Sequence, residues 1–273
     1  MSLHELPDLI QGTDEWHDQR RGIVTASTVG ALITSAAPGP DAYICDECNA
    51  GPGRACASLR GGRPIKTLHP ARTATAAARA LFEPPVLRVA DNDTSRALTT
   101  TLAIERINGW AEETRMTADM WRGVEHEPIA RDLYSEHYSP ATEFGFMLRE
   151  EDGWKLGLSP DGTVEDDGLI EIKCPKAKTH FRTILTGRVP SVYVPQCQAA
   201  LLVSGRKWLD FVSYHSGMPL KVIRVLPDPD WFAAIEAACR QFEHNVAELV
   251  DNYTTAVAGL PTTERVLEEE IRF

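Results

Sequence analysis

The 273-residue chain contains no uninterrupted apolar run near the roughly 20 residues that a helix needs to cross a bilayer. Its N-terminal stretch also lacks the basic, apolar and small-residue pattern of a secretory signal peptide. These two absences predict a soluble, intracellular protein without a membrane anchor. Hydrophobic residues make up 43% of the chain, so it can bury a sizeable core, as one large domain or as one domain with a small insert.

The chain also has few basic residues for its size, since 39 Asp and Glu outnumber 28 Lys and Arg, for a net charge of −11. A nucleic-acid-binding protein normally presents a basic surface, so this sum argues against DNA. The distribution argues for it, because residues 49–82 contain six Arg or Lys and no acid, and residues 172–209 contain seven and no acid. We expect two local basic surfaces; chance clustering of solvated charges is the alternative.

The sequence also lacks the regular cysteine spacing of a disulfide framework. Three of the six cysteines fall within residues 45–56, and the others are scattered. This pattern indicates a metal site rather than disulfides. The Gly- and Pro-rich residues 36–72 offer four zinc ligands with the spacing Cys-x2-Cys-x7-Cys-x12-His: Cys45, Cys48, Cys56 and His69. Such a core-poor segment hardly folds without a metal, so zinc is favoured over a set of reduced surface cysteines.

Residues 157–175 predict a β-hairpin around which the rest of the chain is organised. Apolar and polar residues alternate along 169–174, so Glu171 and Lys173 share one face of a strand. The tripeptide Asp166-Asp-Gly168 is a turn signal, and reversal of the chain there sets Asp161 opposite Glu171.

Two carboxylates that face each other across a strand pair repel each other unless a cation lies between them. A hard divalent ion, Mg²⁺ or Mn²⁺, is the natural occupant, because two carboxylates and a backbone carbonyl suffice as its protein ligands. Lys173 could then orient a water molecule or balance the charge of a phosphate. The alternative is a surface hairpin whose charges face solvent.

Residues 16–34 combine an arginine with hydroxyl residues that can begin a helix. Thr25 or Ser27 is expected to cap a helix that continues through Ile33. Hydroxyls and exposed N–H groups at such a helix start, beside Arg20, suit a phosphate. An ordinary cap and an ordinary surface arginine would explain the same residues.

The remaining periodicity predicts the scaffold. Helices are expected over 74–82, 96–110, 176–187 and 192–203, and another is expected to begin near Glu127, where Pro128 suits the first turn. Strands are expected over 208–213 and 220–225, and Asp228 should cap a long final helix. The macrodipole alone would explain an acid such as Glu127 at a helix start.

Ser159-Pro-Asp-Gly162, followed by Glu171-Ile-Lys-Cys-Pro175, resembles the PD-(D/E)xK nuclease core in the branch of phage lambda exonuclease and YqaJ-type viral recombinases. The spacing Trp-x3-Arg-x-Gly-x2-Thr-Ala-Ser, which begins at Trp16, is similar to that family's opening motif. The resemblance implies an α/β restriction-endonuclease-like core with helices on both sides of a central mixed sheet. It predicts an exonuclease core of residues 1–35 and 73–260, a zinc-binding insert of residues 36–72 and a peripheral tail of residues 261–273.

The resemblance also implies roles for individual residues. The Mg²⁺ ligands would be Asp161, Glu171, the Ile172 carbonyl and Glu127. Lys173 would position or deprotonate the attacking water, and Gln196 would lie near the active site, with Gln198 the weaker candidate. The 5′ phosphate of a DNA end would be bound by Arg20, Ser27 and Ser159.

The activity implied is Mg²⁺-dependent digestion of linear duplex DNA from 5′-phosphorylated ends, which leaves 3′ single strands for phage recombination. A single-strand annealing protein as partner, a homotrimer, and the cytoplasm of a bacterial host are implied in the same way. The Cys/His segment also resembles small zinc ribbons of actinobacterial and phage proteins, which could contact DNA or be structural.

Several alternatives remain open at this point. A Cas4- or RecB-like nuclease of other polarity is the nearest, and a Cas4-type iron–sulfur cluster would have to recruit Cys174, Cys197 or Cys239. A non-catalytic DNA-end-binding protein on the same fold would keep the motifs without the activity. A zinc-ribbon module that recruits a partner protein is the last alternative.

Overall fold

A computed structural model describes residues 2–80, 82–112 and 116–265. The α-helices within these ranges are α1 (Asp14–Arg20), α2 (Pro70–Arg79), α3 (Asp93–Asn108), α4 (Ala118–His137), α5 (Ala177–Thr186), α6 (Val194–Ser204) and α7 (Pro229–Ala256). The strands are β1 (Ser2–Leu6), β2 (Ile33–Ala36), β3 (Val86–Val89), β4 (Phe146–Glu151), β5 (Trp154–Leu158), β6 (Gly162–Val164), β7 (Gly168–Lys173), β8 (Trp208–Ser213) and β9 (Lys221–Val225).

The predicted hairpin belongs to a four-stranded mixed sheet with the strand order β6-β7-β8-β9. Strand β7 runs parallel to β8, and the other two pairs are antiparallel. Helices α5 and α6 connect the parallel pair, which needs a crossover of this kind. A second, antiparallel sheet has the order β1-β4-β5, and β2 pairs with β3. The predicted α/β class with a central mixed sheet is confirmed.

The main hydrophobic core lies around helix α6. Residues 197–203 of this helix are each at most 5% exposed. This helix is buried on all its faces, so it must be surrounded by other elements. Strands β5 and β8 and helix α7 pack around it in one continuous hydrophobic cluster. This packing fixes the start of α6, and with it Gln196, relative to the mixed sheet.

Helix α4 packs on the other face of the mixed sheet. Its Ala130 and Tyr134 join Ile170 and Ile172 of β7 in a second buried cluster. The Tyr134 hydroxyl donates a 2.7 Å hydrogen bond to buried Asp210, whose carboxylate also accepts two hydrogen bonds from an arginine of β9. Because Ile170 and Ile172 face this cluster, the alternating residues of β7 face the opposite side, as the sequence pattern predicts.

Most of the predicted scaffold elements are confirmed. Helix α5, strands β8 and β9, and the long helix α7 lie where the periodicity places them. Asp228 caps α7 by accepting a 2.9 Å hydrogen bond from the Asp230 N–H. Helix α3 begins a few residues early, because Asn92 and Ser95 form a capping box there.

Two predicted helix starts are wrong. Instead of a helix from Thr25 or Ser27 to Ile33, the chain forms a four-residue 3₁₀ helix, Val29–Leu32, and Ile33 already pairs with β3. Helix α4 begins at Ala118, capped by Thr117, so Pro128 lies in its middle rather than in its first turn. Pro128 has no N–H for the carbonyl four residues back, but that carbonyl belongs to exposed Val124, where water can bond to it.

No helix in the described ranges is long and apolar enough to cross a membrane. The helix predicted over 74–82 begins earlier, at Pro70, directly after the predicted zinc ligand His69. Of the predicted tail, residues 266–273 lie outside the described ranges.

Candidate functional site

The β6–β7 hairpin brings two of the predicted carboxylates together. Gly162 pairs with Ile170, and one further step in the same register sets Asp161 beside Glu171. The Asp161 Oδ2 atom accepts a 2.6 Å hydrogen bond from the Ile172 N–H, which fixes the carboxylate against strand β7. Gly168 already pairs with Val164, so the turn consists of residues 165–167.

Glu171 lies at the centre of the cluster and is 1% exposed. Its Oε1 atom accepts hydrogen bonds from the Lys173 ammonium and from the Gln196 amide, the latter at 2.5 Å. Gln198 faces elsewhere, since its side chain bonds to the Leu226 carbonyl and to the Asp228 N–H. The structure therefore brings Gln196 to the site and gives Gln198 a structural position.

Glu127 reaches the same cluster from helix α4, through an arginine that was not predicted from the sequence. Arg131 bonds to the Glu127 Oε1 atom at 2.5 Å and to the Asp161 carbonyl oxygen at 2.8 Å. The i,i+4 spacing from Glu127 places both side chains on one helix face, and that spacing was the available signal. Arg131 thus links the helix carboxylate to the hairpin.

A cavity of about 530 Å³ lies over the cluster. Glu127, Asp161 and Lys173 line it, together with Lys176 and Tyr193. The Lys173 ammonium is 5.7 Å from the Tyr193 ring centroid, within the range of a cation–π contact. The cavity is the space in which a substrate could meet these groups.

The acidic side chains carry shifted pKa values because Glu171 is buried and Asp161 and Glu127 are partly buried near it. Burial raises the pKa of Glu127 to about 7, and the Asp161 charge adds to this shift. Burial likewise raises the pKa of Glu171 to about 7 and raises that of Asp161. Burial disfavours the Lys173 ammonium, but the Glu171 and Asp161 charges outweigh it and raise the pKa of Lys173. Because the Asp161 charge raises the pKa values of both Glu127 and Glu171, a cation with oxygen ligands would stabilise the ionised carboxylates.

A second polar group surrounds Ser159, at the end of strand β5. The Ser159 hydroxyl accepts hydrogen bonds from the Trp16 indole at 2.8 Å and from the Arg20 guanidinium at 3.1 Å. Arg20 also stacks over the Trp16 ring, 4.1 Å from its centroid. Burial lowers the pKa of Arg20 to about 10, so Arg20 stays cationic at neutral pH.

Ser27 lies on the neighbouring segment, and among the described residues its hydroxyl forms no hydrogen bond with Arg20. Its hydroxyl is 3.1 Å from that of Thr25, and the Ala26 N–H donates a 2.8 Å hydrogen bond to the Gly157 carbonyl. The predicted phosphate-binding residues therefore lie on adjoining segments, and the direct contact among them joins Arg20 to Ser159.

The predicted zinc ligands converge. The possible ligand atoms of Cys45, Cys48, Cys56 and His69 all lie within 4.8 Å of one another, and within the described ranges no other group of three or more such side chains does so. Three thiols and an imidazole fit a tetrahedral zinc shell. The cysteines that an iron–sulfur cluster would need lie elsewhere: Cys197 and Cys239 are buried in the main core, and Cys174 lines the cavity.

An Asp, a Glu and a Lys on one hairpin of a mixed sheet, with a further carboxylate from a flanking helix, define the PD-(D/E)xK class of nuclease folds. Within this class, a family model described as the YqaJ-like viral recombinase domain matches residues 70–207, and the chain belongs to that family. A second model, described as "Putative DNA-binding phage zinc finger domain", matches residues 11–86, which include all four Cys/His ligands.

Among solved structures, an alkaline exonuclease from Laribacter hongkongensis, LHK-Exo, is similar to this chain, with 27% identity and a TM-score of 0.65 over 91% of this chain and 100% of that chain. The same exonuclease in complex with dAMP gives 28% identity and a TM-score of 0.63 over the same shares. A search of curated proteins finds no match.

Proposed function

We propose that this protein is a metal-dependent exonuclease that digests linear duplex DNA. The observation that carries the proposal is the Asp161–Glu171–Lys173 cluster at a cavity, joined by Glu127 from α4. The similarity to an alkaline exonuclease at 27% identity supports an exonuclease rather than a non-catalytic DNA-end-binding protein.

The proposed metal ligands are Asp161, Glu171, the Ile172 carbonyl and Glu127. When bound there, Mg²⁺ or Mn²⁺ supplies Lewis-acid polarisation of the scissile phosphate and a better water nucleophile at neutral pH. The Lys173 ammonium bonds to Glu171 and lines the cavity, so we assign it to positioning or deprotonating the attacking water and to balancing phosphate charge. Gln196 and Arg131 hold the Glu171 and Glu127 carboxylates in place.

The proposed polarity is from the 5′ end. Arg20 and Ser159 form a cationic, hydrogen-bonding pair beside the loop that carries Asp161, which suits a terminal phosphate. Ser27, on the adjoining segment, is the third proposed ligand. A phosphate held there would place the terminal nucleotide next to the nuclease cluster, which consists of Glu127, Asp161, Glu171, Lys173 and Gln196. The end of the strand rather than an internal bond would then be cut.

The zinc module, residues 36–72, is proposed to contact DNA rather than to be purely structural. Its loop carries four exposed cations, Arg54, Arg60, Arg63 and Lys66, and within the described ranges none of them forms an ion pair. Two of the module's three acids lie against α2 instead, where Asp46 bonds to Thr75 and Glu47 to the Ala71 N–H. An unbalanced basic loop on an acidic protein suits a phosphate backbone.

The wider role is also proposed. Residues 1–35 and 73–260 would form the nuclease core, and its product, a 3′ single strand, would pass to an annealing protein during phage recombination in a bacterial cytoplasm. The assembly would be a homotrimer. Membership of the YqaJ-like viral recombinase family supports this role.

One assay tests the proposal: linear duplexes labelled at either end, with and without a 5′ phosphate, are incubated with Mg²⁺, and a closed circular duplex serves as control. We expect release of the 5′ label first, faster digestion of phosphorylated ends, and an intact circle. Release of the 3′ label first would favour a Cas4- or RecB-like nuclease. No Mg²⁺-dependent digestion would favour a non-catalytic DNA-end-binding protein.

A further inference from the structure

Arg72 is the most deeply buried cation of the zinc module, with 0% of its surface exposed. It lies in the first turn of α2, the helix that begins directly after the ligand His69. An arginine is almost never fully buried unless something compensates its charge and its five N–H donors.

All five donors of Arg72 have partners inside the module. The Nε atom donates to the Tyr43 carbonyl at 2.9 Å, and Nη2 donates to the Asp41 and Gly51 carbonyls at 3.1 and 2.9 Å. Nη1 donates to the Arg54 carbonyl at 2.7 Å and to the Cys56 Sγ atom at 3.7 Å. One side chain thus ties together the backbone on both sides of the first two zinc ligands.

These hydrogen bonds give every N–H group of Arg72 a partner, but they do not neutralise the positive charge of the guanidinium. Four of the partners are neutral carbonyls, and within the described ranges no carboxylate lies at ion-pairing distance from Arg72. An uncompensated charge in such a place is costly. The Cys56 sulfur, a thiolate when it binds a metal, is the anionic group in contact.

The net charge of a zinc-bound cluster can neutralise Arg72. A zinc dication with three thiolates and one neutral imidazole carries a net charge of −1, and the Arg72 guanidinium carries +1. We propose that Arg72 is a positioning residue that neutralises the Cys45–Cys48–Cys56–His69 zinc cluster and holds its ligand loops together. The module is then neutral inside when zinc is bound and carries an uncompensated buried cation when zinc is absent.

The test measures zinc affinity in the full-length protein by competition with a chromophoric chelator. Arg72→Met removes the charge and the hydrogen bonds at similar length, whereas Arg72→Lys keeps the charge. Outer-shell partners of metal ligands typically contribute about 10- to 100-fold to affinity, so Arg72→Met should bind zinc at least about 10-fold more weakly than wild type. Arg72→Lys should recover most of this affinity.

A matched substitution on the same helix, Arg79→Met, controls for removal of an arginine, because Arg79 is exposed and pairs with Glu83. It should leave zinc affinity unchanged. Equal affinities of the Lys and Met variants would overturn the charge role, and wild-type affinity in both would overturn the proposal entirely. Thermal unfolding of the core, followed by circular dichroism, shows whether either variant has failed to fold rather than failed to bind zinc.

Discussion

The nuclease cluster and the zinc module are both suited to a metal ion, but they differ in how far apart their ligands lie in the sequence and in how much hydrophobic core surrounds them. The zinc ligands all come from residues 45–69, a segment that contributes no residue to either hydrophobic cluster. The nuclease cluster collects side chains from α4, β7 and α6 across residues 127–196, and its elements are packed by two hydrophobic clusters. In the first region the metal must supply the stability; in the second the hydrophobic core supplies it.

Each region also contains an arginine that bonds to a proposed metal ligand. The two arginines differ in the charge of the groups that they contact. Arg131 bonds to the carboxylate of Glu127, so its charge has acidic partners without any metal. Arg72 bonds to carbonyls and a sulfur, so its charge has a full partner only when the thiolates are ionised around a metal. Removal of metal should therefore be tolerated in the nuclease cluster and not in the zinc module.

The largest expected effect is the response of the zinc module to removal of a ligand. Cys56→Ser should abolish zinc binding, because structural zinc contributes on the order of 10 kcal/mol to such modules. The unfolding temperature of the core should change little, since Cys56 makes no part of either hydrophobic cluster. Metal analysis and thermal unfolding measure the two outcomes.

Cys239→Ser is the matched control, because Cys239 lies on α7 and is fully buried in the main core. It should lower the unfolding temperature of the core by placing a hydroxyl among apolar side chains, and it should leave zinc content unchanged. A fall in both quantities in either variant would mean that the two regions are not independent.

The second effect is catalytic. Lys173→Ala should slow Mg²⁺-dependent digestion of a linear duplex by about 10²- to 10⁴-fold, because we propose that its ammonium acts on the attacking water and balances phosphate charge. Zinc content should not change. Lys178→Ala is the control, since Lys178 is exposed on α5, and it should digest at the wild-type rate. Equal rates for Lys173→Ala and wild type would remove Lys173 from the mechanism.

The difference between the two regions also explains which residues of each site could be predicted from the sequence. The zinc ligands were predictable from spacing, because a short loop can bring only near neighbours together, and Asp161 and Glu171 were predictable because a tight hairpin fixes their register. Arg131 and Tyr193 were missed, because their contacts with the cluster depend on how α4 and the segment before α6 pack against the sheet. The β2–β3 pair was missed for the same reason, since its register joins Ile33 to Val89 across a whole module.

A smaller effect concerns the DNA end. Arg20→Ala should reduce the preference for 5′-phosphorylated over 5′-hydroxyl ends by about 10- to 150-fold, since a hydrogen bond to a charged group contributes roughly 1.5–3 kcal/mol. Digestion of hydroxyl ends should be nearly unchanged, because the nuclease cluster itself is intact. The ratio of the two initial rates is the measurement. Arg21→Ala serves as the control, since Arg21 pairs with Asp18. An unchanged ratio in Arg20→Ala would mean that the Arg20–Ser159 pair does not bind the terminal phosphate.

The smallest effect tests whether the zinc module retains DNA while the nuclease cluster cuts it. The double variant Arg60→Gln and Arg63→Gln should weaken DNA binding. It should also make the negative slope of log affinity against log salt concentration less steep, by about 0.9 for each phosphate that is no longer neutralised. Cleavage at saturating DNA should stay at the wild-type rate, because both residues lie outside the cavity. Arg79→Gln, on the helix that faces the module's acids, should leave the slope unchanged. If the double variant kept the wild-type slope, the basic loop would not contact the phosphate backbone, and the module's part in the protein would be structural.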